Sequence, residues 1–331
     1  MPHAVAVLGA GSWGTALAWI LARCGGDVRL WCRREEQAAQ IRAERLNRQY
    51  LPQLQLPDSI TATHDLALAA IGADLVVVAC PTASVRATLR ALVEAAGVPP
   101  GITLAAKGLE RDTGMRLSEV AIEELGPAPR LAVLSGPNLA GEIVREIPSA
   151  TVIASHDPDW ARRLQSRFAT PFFRVYTNSD VAGVELGGAL KNPIAIAAGI
   201  SDGLGFGANT RATLLTRGLA EITRLGEAAG GRAETFRGLS GLGDLMATAG
   251  SPLSRNYRLG MALGSGVPLA EALASLHQVA EGVPTTTAAV RLAASLNVDI
   301  PLLTELHALF WEHRPVAEAV RGLLSRPYRD E

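Results

Sequence analysis

Apolar residues in the first half of the chain come in short runs, and between the runs they recur every three or four positions. Val5-Ala6-Val7-Leu8 reads as a buried parallel strand, and Leu17, Ile20 and Leu21 follow at helical spacing. The alternation then repeats. Further strands are predicted at Asp27 to Cys32, Asp74 to Ala79, Ile102 to Ala106, Leu131 to Leu134, Thr151 to Ala154 and Phe172 to Tyr176. Helices are predicted at Arg34 to Asn47, Ser84 to Ala95 with Ser84 as N-cap, Arg116 to Leu125, and Asp159 to Phe168. Asn47-Arg48-Gln49-Tyr50-Leu51-Pro52 reads as a turn that Pro52 helps to end. Strands alternating with helices predict an α/β fold with a doubly wound sheet, whose ligand crevice lies at the carboxyl ends of the strands.

Beyond Asn178 the strand signal stops. From Gly207 to Ala229, the residues Ala212, Leu215, Leu219, Ile222, Gly226 and Ala229 form one stripe, with Arg211, Arg217, Glu221 and Arg224 off it, as in an amphipathic helix. Further helices are predicted over Ala288 to Leu296, behind Pro301 and behind Pro315. The expected division is a dinucleotide-binding domain over residues 1–178 and an all-helical substrate-binding domain over 179–331.

Between the first strand and its helix stands Gly9-Ala10-Gly11-Ser12-Trp13-Gly14. In that context each glycine has a task. Gly9 allows the turn, Gly11 lets the backbone approach a pyrophosphate, and Gly14 lets helix and strand pack closely. N–H groups of the helix's first turn then face the phosphates. About 20 residues beyond such a turn, an acidic side chain would accept from the 2′-hydroxyl of NAD. Here the chain reads Arg33-Arg34, and guanidinium groups suit a 2′-phosphate or the adenine face, so the cofactor is NADP or NAD. The plain alternative is a solvated charge cluster with Glu35 and Glu36.

With 331 residues, 48% of them hydrophobic, the chain can bury a large core. Its 31 basic and 32 acidic residues leave a formal charge of −1, which gives no electrostatic reason to expect nucleic acid or an anionic membrane as partner. The uncharged stretch from Ala4 to Ala22 imitates a membrane segment, but three glycines interrupt it and no Lys or Arg precedes it. Cys24, Cys32 and Cys80 lack paired or metal-type spacing, and buried reduced thiols in a cytoplasmic protein are expected. His3, His64, His156, His277, His307 and His313 are scattered without ligand spacing, so no metal site is implied.

Three other groups have chemistry to offer. Lys191, in Leu186-Gly187-Gly188-Ala189-Leu190-Lys191-Asn192-Pro193, stands between apolar helical segments, where desolvation would lower its pKa and make it a proton donor and acceptor. Its alternative is a snorkelling surface lysine, though the glycines and an Asn-Pro helix start favour a site. Ser254-Arg255-Asn256 offers a hydroxyl, a guanidinium and an amide to a phosphate monoester, or else is a Ser cap with a solvated Arg. Asp244, in Gly241-Leu242-Gly243-Asp244-Leu245, is either a turn residue or a carboxylate that receives substrate hydroxyls. Lys107 and Gly136 lie just past predicted strand ends.

Together, Gly9 to Ala16, Ala106-Lys107-Gly108-Leu109, Ser135-Gly136-Pro137, Leu190-Lys191-Asn192, Ile196 to Ile200, Gly241 to Leu245, Ser254-Arg255-Asn256 and Glu281-Gly282 stand in an order that resembles the NAD(P)-dependent glycerol-3-phosphate dehydrogenases of the bacterial type. The resemblance covers essentially the whole chain. It implies an N-terminal Rossmann-type doubly wound sheet with an all-α C-terminal domain, in a cytoplasmic homodimer. The reaction implied is reversible reduction of dihydroxyacetone phosphate to sn-glycerol 3-phosphate, the precursor of glycerophospholipids. It further implies Lys191 as general acid/base and Lys107 as a second lysine where cofactor and substrate meet. Substrate contacts are implied at Gly136, Asn138, Asp244, Ser254, Arg255 and Asn256, and cofactor contacts at Ser12, Trp13, Arg33, Arg34, Tyr50, Ala140, Arg255, Val279 and Glu281. Two residues depart from the family's pattern. Asn138 replaces a frequent Ser or Thr, and Pro193 replaces a frequent aliphatic residue, tolerable at a helix's first position.

Two rival readings remain at this point. One is a two-domain dehydrogenase of hydroxy acids or ketopantoate, whose carboxylate substrate would not call for the Ser254-Arg255-Asn256 cradle. The other is a catalytically silent redox sensor, against which Lys107, Lys191 and Asp244 argue together.

Overall fold

The computed structural model describes residues 4–127, 129–276 and 279–325. His3 and His277 lie outside the described residues. The chain divides into two compact units, one of residues 1–107 and 116–185, the other of residues 108–115 and 186–331.

The first unit holds strands β1 (Ala4–Leu8), β2 (Asp27–Trp31), β3 (Leu46–Asn47), β4 (Leu51–Gln55), β5 (Ile60–Thr63), β6 (Leu75–Val78), β7 (Gly101–Leu104), β8 (Arg130–Ser135), β9 (Ser149–Ala154) and β10 (Phe173–Asn178). Its helices are α1 (Ser12–Arg23), α2 (Glu35–Glu44), α3 (Leu66–Ala70), α4 (Val85–Ala96), α5 (Leu117–Leu125), α6 (Ala140–Ile143) and α7 (Pro158–Phe168). Eight strands form one sheet in the order β10-β9-β8-β7-β6-β1-β2-β5. Central strands β6 and β7 are buried along their whole length. This is why β6 appears in the sequence as an unbroken apolar run rather than as an alternation, while β7 is broken only by the buried Thr103. From β1 the chain runs to β2 on one side and returns as β6 on the other, so the sheet's switch point falls between β1 and β6. Such a point opens a crevice at the carboxyl ends of the strands.

Several expectations are corrected here. β9 runs antiparallel to β8, with Leu134 opposite Ile153, and the connection between them, which carries α6, returns the chain beside β8 without a crossover. The expected turn over residues 47–52 is the tip of a small antiparallel hairpin of β3 and β4, and Pro52 lies within β4. Ser84 stands at the N-cap of α4, but its side chain makes no cap bond; a 3-10 turn over Thr82–Ser84 leads into the helix instead. Cys24 is exposed, whereas Cys32 and Cys80 are buried.

The second unit is helical: α8 (Val181–Gly203, its first five residues in the first unit), α9 (Ala208–Ala228), α10 (Ala233–Phe236), α11 (Asp244–Thr248), α12 (Arg255–Gly264), α13 (Leu269–Ala274), α14 (Gly282–Leu296), α15 (Pro301–Trp311) and α16 (Val316–Leu324). Pro193 lies inside α8 instead of starting a helix, so the Ala189 carbonyl has no N–H from that position. Packing settles the matter, since residues 189–200 of this helix are buried throughout.

Glu221 is 4% exposed, although the stripe on α9 placed it on the solvent side. Its carboxylate accepts from the N–H groups of Leu302 and Leu303, both at 2.9 Å. It therefore caps α15, whose own N-cap residue, Ile300, makes no side-chain bond. Burial pushes the Glu221 carboxyl up to about 7, against the two N–H donors and Arg224, which favour the ion. A carboxyl raised on folding adds stability while protonated and loses it as pH rises, here between its ordinary value near 4.5 and about 7. Raising pH from 5 to 8 is thus expected to destabilise the native chain relative to Glu221→Gln by about 3 kcal/mol, read from thermal or urea unfolding. A difference that stays constant with pH would contradict this.

Candidate functional site

In the first unit, the glycine turn leaves β1 at the switch point. Gly9 has φ +117°, and a Cβ there would lie 2.7 Å from the backbone nitrogen of Cys80, just after β6. A Cβ on Gly14 would lie 1.8 Å from the Gly9 carbonyl oxygen, so α1 sits directly against the turn. Gly11 is the opposite case, because a Cβ on it would meet nothing within 4 Å. Space therefore opens where α1 begins, and there the first-turn N–H groups have no carbonyl of their own helix to bond. A tight turn, a close-packed helix and a cleared face at its positive end fit the pyrophosphate of a dinucleotide.

Around this turn the other expected cofactor residues take up distinct positions. The Ser12 hydroxyl donates to the Tyr50 carbonyl at 3.2 Å, and the Trp13 indole donates to the Ala105 carbonyl at 3.1 Å. Arg33 and Arg34 are exposed beyond β2, and Arg34 donates to the Gln49 side chain at 2.6 Å. Lys107 follows β7, and its ammonium donates to the Gly136 carbonyl at 2.7 Å, so these two expected residues are joined. Asn138 is engaged with β9. Its amide donates to the Ala150 carbonyl at 3.3 Å, and its oxygen lies 3.0 Å from the Thr151 hydroxyl. Ala140 begins α6, half-buried against the core.

In the second unit, α8 carries Lys191 and Asn192 at its buried middle. Glycines bring the neighbouring helix close: a Cβ on Gly199 would lie 2.2 Å from the Tyr257 carbonyl, and one on Gly260 would lie 2.0 Å from that of Ile196. At this separation the Asn256 amide donates to the Asn192 side chain at 2.9 Å, and its oxygen accepts from the Gly282 N–H at 3.0 Å. Lys191 is 6% exposed. Its ammonium lies 3.0 Å from Asp244 Oδ1 and 2.6 Å from the Thr248 hydroxyl, both buried on α11. The snorkelling alternative is thereby excluded. A buried ammonium held by a carboxylate and a hydroxyl is fixed in position.

Ser254 caps α12 by accepting from the Tyr257 N–H at 3.2 Å, and Arg255, the first residue of that helix, is half-buried. Glu281 is the N-cap residue of α14, and Val279 is exposed. Sequence reading missed Thr248, Asn192 and Thr151. Thr248 stands four residues after Asp244, one helical turn on, and that spacing was its only signal. No group of three or more His, Cys, Asp or Glu among the described residues could hold a metal ion, and no helix among them is long and apolar enough to cross a membrane.

Two family models match the chain: the NAD-dependent glycerol-3-phosphate dehydrogenase N-terminus over residues 4–161 and the C-terminus of the same description over residues 180–321. The glycerol-3-phosphate dehydrogenase [NAD(P)+] of Geobacter metallireducens is 48% identical over 335 residues, covering 100% of this chain and 99% of the relative. That of Moorella thermoacetica is 48% identical over 331 residues, with 100% and 98% covered. Among solved structures, the glycerol-3-phosphate dehydrogenase of Coxiella burnetii superposes with a TM-score of 0.95 at 40% identity, covering 98% of this chain and 99% of the other.

Proposed function

Because this chain belongs to the NAD-dependent glycerol-3-phosphate dehydrogenase family, we propose that it reduces dihydroxyacetone phosphate to sn-glycerol 3-phosphate with Lys191 as proton donor. Its activity is that of an NAD(P)-dependent glycerol-3-phosphate dehydrogenase, and NAD or NADP is its cofactor. The observation that carries the assignment of Lys191 is its burial beside Asp244 and Thr248.

A reduced nicotinamide, when bound, supplies the hydride. Lys191, held by Asp244 and Thr248, gives its proton to the C2 oxygen as negative charge builds there, and takes it back in the reverse direction. Lys107, steadied by the Gly136 carbonyl, adds positive charge beside that oxygen. Arg255, with Ser254 and Asn256, holds the phosphate, so binding of a group that does not react positions the one that does. Gly136, Asn138 and Asp244 complete the substrate contacts.

Gly9, Gly11 and Gly14 shape the cofactor turn, with Ser12, Trp13, Tyr50, Lys107, Ala140, Arg255, Val279 and Glu281 as further cofactor contacts. Arg33 and Arg34 lie where the adenosine end belongs and suit a 2′-phosphate. The enzyme works in the cytoplasm as a homodimer and supplies glycerophospholipid synthesis.

Steady-state oxidation of NADH and NADPH, with dihydroxyacetone phosphate compared against 2-oxo acids, tests this reading. Turnover is expected with the phosphorylated ketone and to fall at least about a hundredfold with the carboxylates, whose shape and charge leave the phosphate cradle unused. Preference for a 2-oxo acid would overturn the substrate assignment.

A further inference from the structure

The glycine turn contains one peptide group that is held from behind. The Ala10 carbonyl accepts from Gln37 Nε2 at 2.7 Å and from Asn47 Nδ2 at 3.0 Å. The second proton of Asn47 Nδ2 goes to the Thr15 hydroxyl at 2.8 Å, on the first turn of α1, and Asn47 is completely buried. Gln37 comes from α2 and Asn47 from β3, two elements that neither precede nor follow the turn directly. Three residues past Asn47, the Tyr50 carbonyl accepts from Ser12, so the hairpin tip engages the start of α1 a second time.

In a trans peptide the C=O and N–H point in opposite directions. Fixing the Ala10 carbonyl toward Gln37 and Asn47 therefore fixes the Gly11 N–H away from them. We propose that Asn47 and Gln37 are positioning residues for the cofactor: by pinning the Ala10 carbonyl they aim the Gly11 N–H at the pyrophosphate and keep a carbonyl dipole from facing it. The two amides act through the turn and need not touch the dinucleotide. Two donors on one carbonyl also polarise the peptide and strengthen its N–H as a donor to an anion.

This inference rests on the dinucleotide-binding reading of the turn, so the test begins with the unaltered protein. Failure of that protein to bind NADH or NADPH would sink the underlying reading, whereas the variants decide the present one. Nicotinamide fluorescence titration of Asn47→Ala is expected to show Kd raised about tenfold, and of Gln37→Ala about threefold, the fully buried amide that also holds Thr15 costing more than the partly buried one. NADH and NADPH should weaken equally, because they share the pyrophosphate and differ only at the 2′ position. At saturating cofactor, kcat and the KM for dihydroxyacetone phosphate should stay within about twofold. Gln37→Glu, which turns a carboxylate oxygen toward the Ala10 carbonyl, should weaken binding more than Gln37→Ala. Because Gln37 is only partly buried, its variants report even where Asn47→Ala fails to fold. Unchanged Kd in folded Gln37→Ala and Gln37→Glu, or a loss confined to NADPH, would overturn the proposal.

Discussion

Lys191→Ala is expected to lower turnover of dihydroxyacetone phosphate by about three orders of magnitude, within the range seen when a positioned acid or base is removed. Affinity for NADPH should change by less than about threefold, since the glycine turn belongs to the other unit. Stability complicates the measurement. Removing the ammonium leaves Asp244, 2% exposed, as a buried carboxylate without its counter-ion, at a cost of about 3–5 kcal/mol. The double variant Lys191→Met with Asp244→Asn removes both charges and keeps the volume, so it should regain much of that stability. It should not regain turnover. Recovery of activity together with stability would mean that Lys191 serves the fold and not the proton transfer.

Gly14→Ala and Gly11→Ala are expected to separate two tasks that the glycine spacing leaves combined. A methyl at position 14 would lie 1.8 Å from the Gly9 carbonyl oxygen, which belongs to a backbone that cannot rotate away. α1 must then shift from the turn, and both stability and cofactor binding should fall, with Kd raised at least about a hundredfold and unfolding easier by about 1–3 kcal/mol. A methyl at position 11 meets nothing in the protein. That variant should melt like the native chain and yet bind NADPH more weakly, because the methyl occupies the face where the backbone approaches the pyrophosphate. Unimpaired binding by Gly11→Ala would mean that the cleared face is not the phosphate site.

The doubly wound part of the fold was legible because its central strands are buried on both faces, as at Leu75–Val78, and because the glycine spacing fell between a strand and a helix. Strand direction was less so. An apolar run such as Ile153 with its neighbours reads the same in either sense, and the reversal of β9 shows only in its pairing with β8. The β3–β4 hairpin was hidden because Pro52 and two glutamines interrupt any alternation. Glu221 was misplaced because the N–H groups it caps lie 81 and 82 residues away, and helical periodicity carries no information about a distant helix end.

Much the same holds for the candidate site. Lys191 and Asp244 could each be singled out by type and surroundings. Their ion pair, with Thr248 as third member, depends on how α8 meets α11, which no local pattern encodes. Residues 108–115 belong to the helical unit although β7 precedes them and α5, both of the first unit, follows, and no composition change marks that excursion. Asn47 was read as a turn former, and only the packed hairpin shows it reaching back to Ala10.

The most direct measurement follows the hydride itself. Dihydroxyacetone phosphate is incubated with the enzyme and nicotinamide cofactor carrying deuterium at C4 on the transferred side, and the product is examined by mass spectrometry and NMR. One deuterium at C2 of sn-glycerol 3-phosphate for each cofactor oxidised is the expected result. Cofactor oxidation without deuterium at that carbon, or no phosphorylated alcohol at all, would contradict the account.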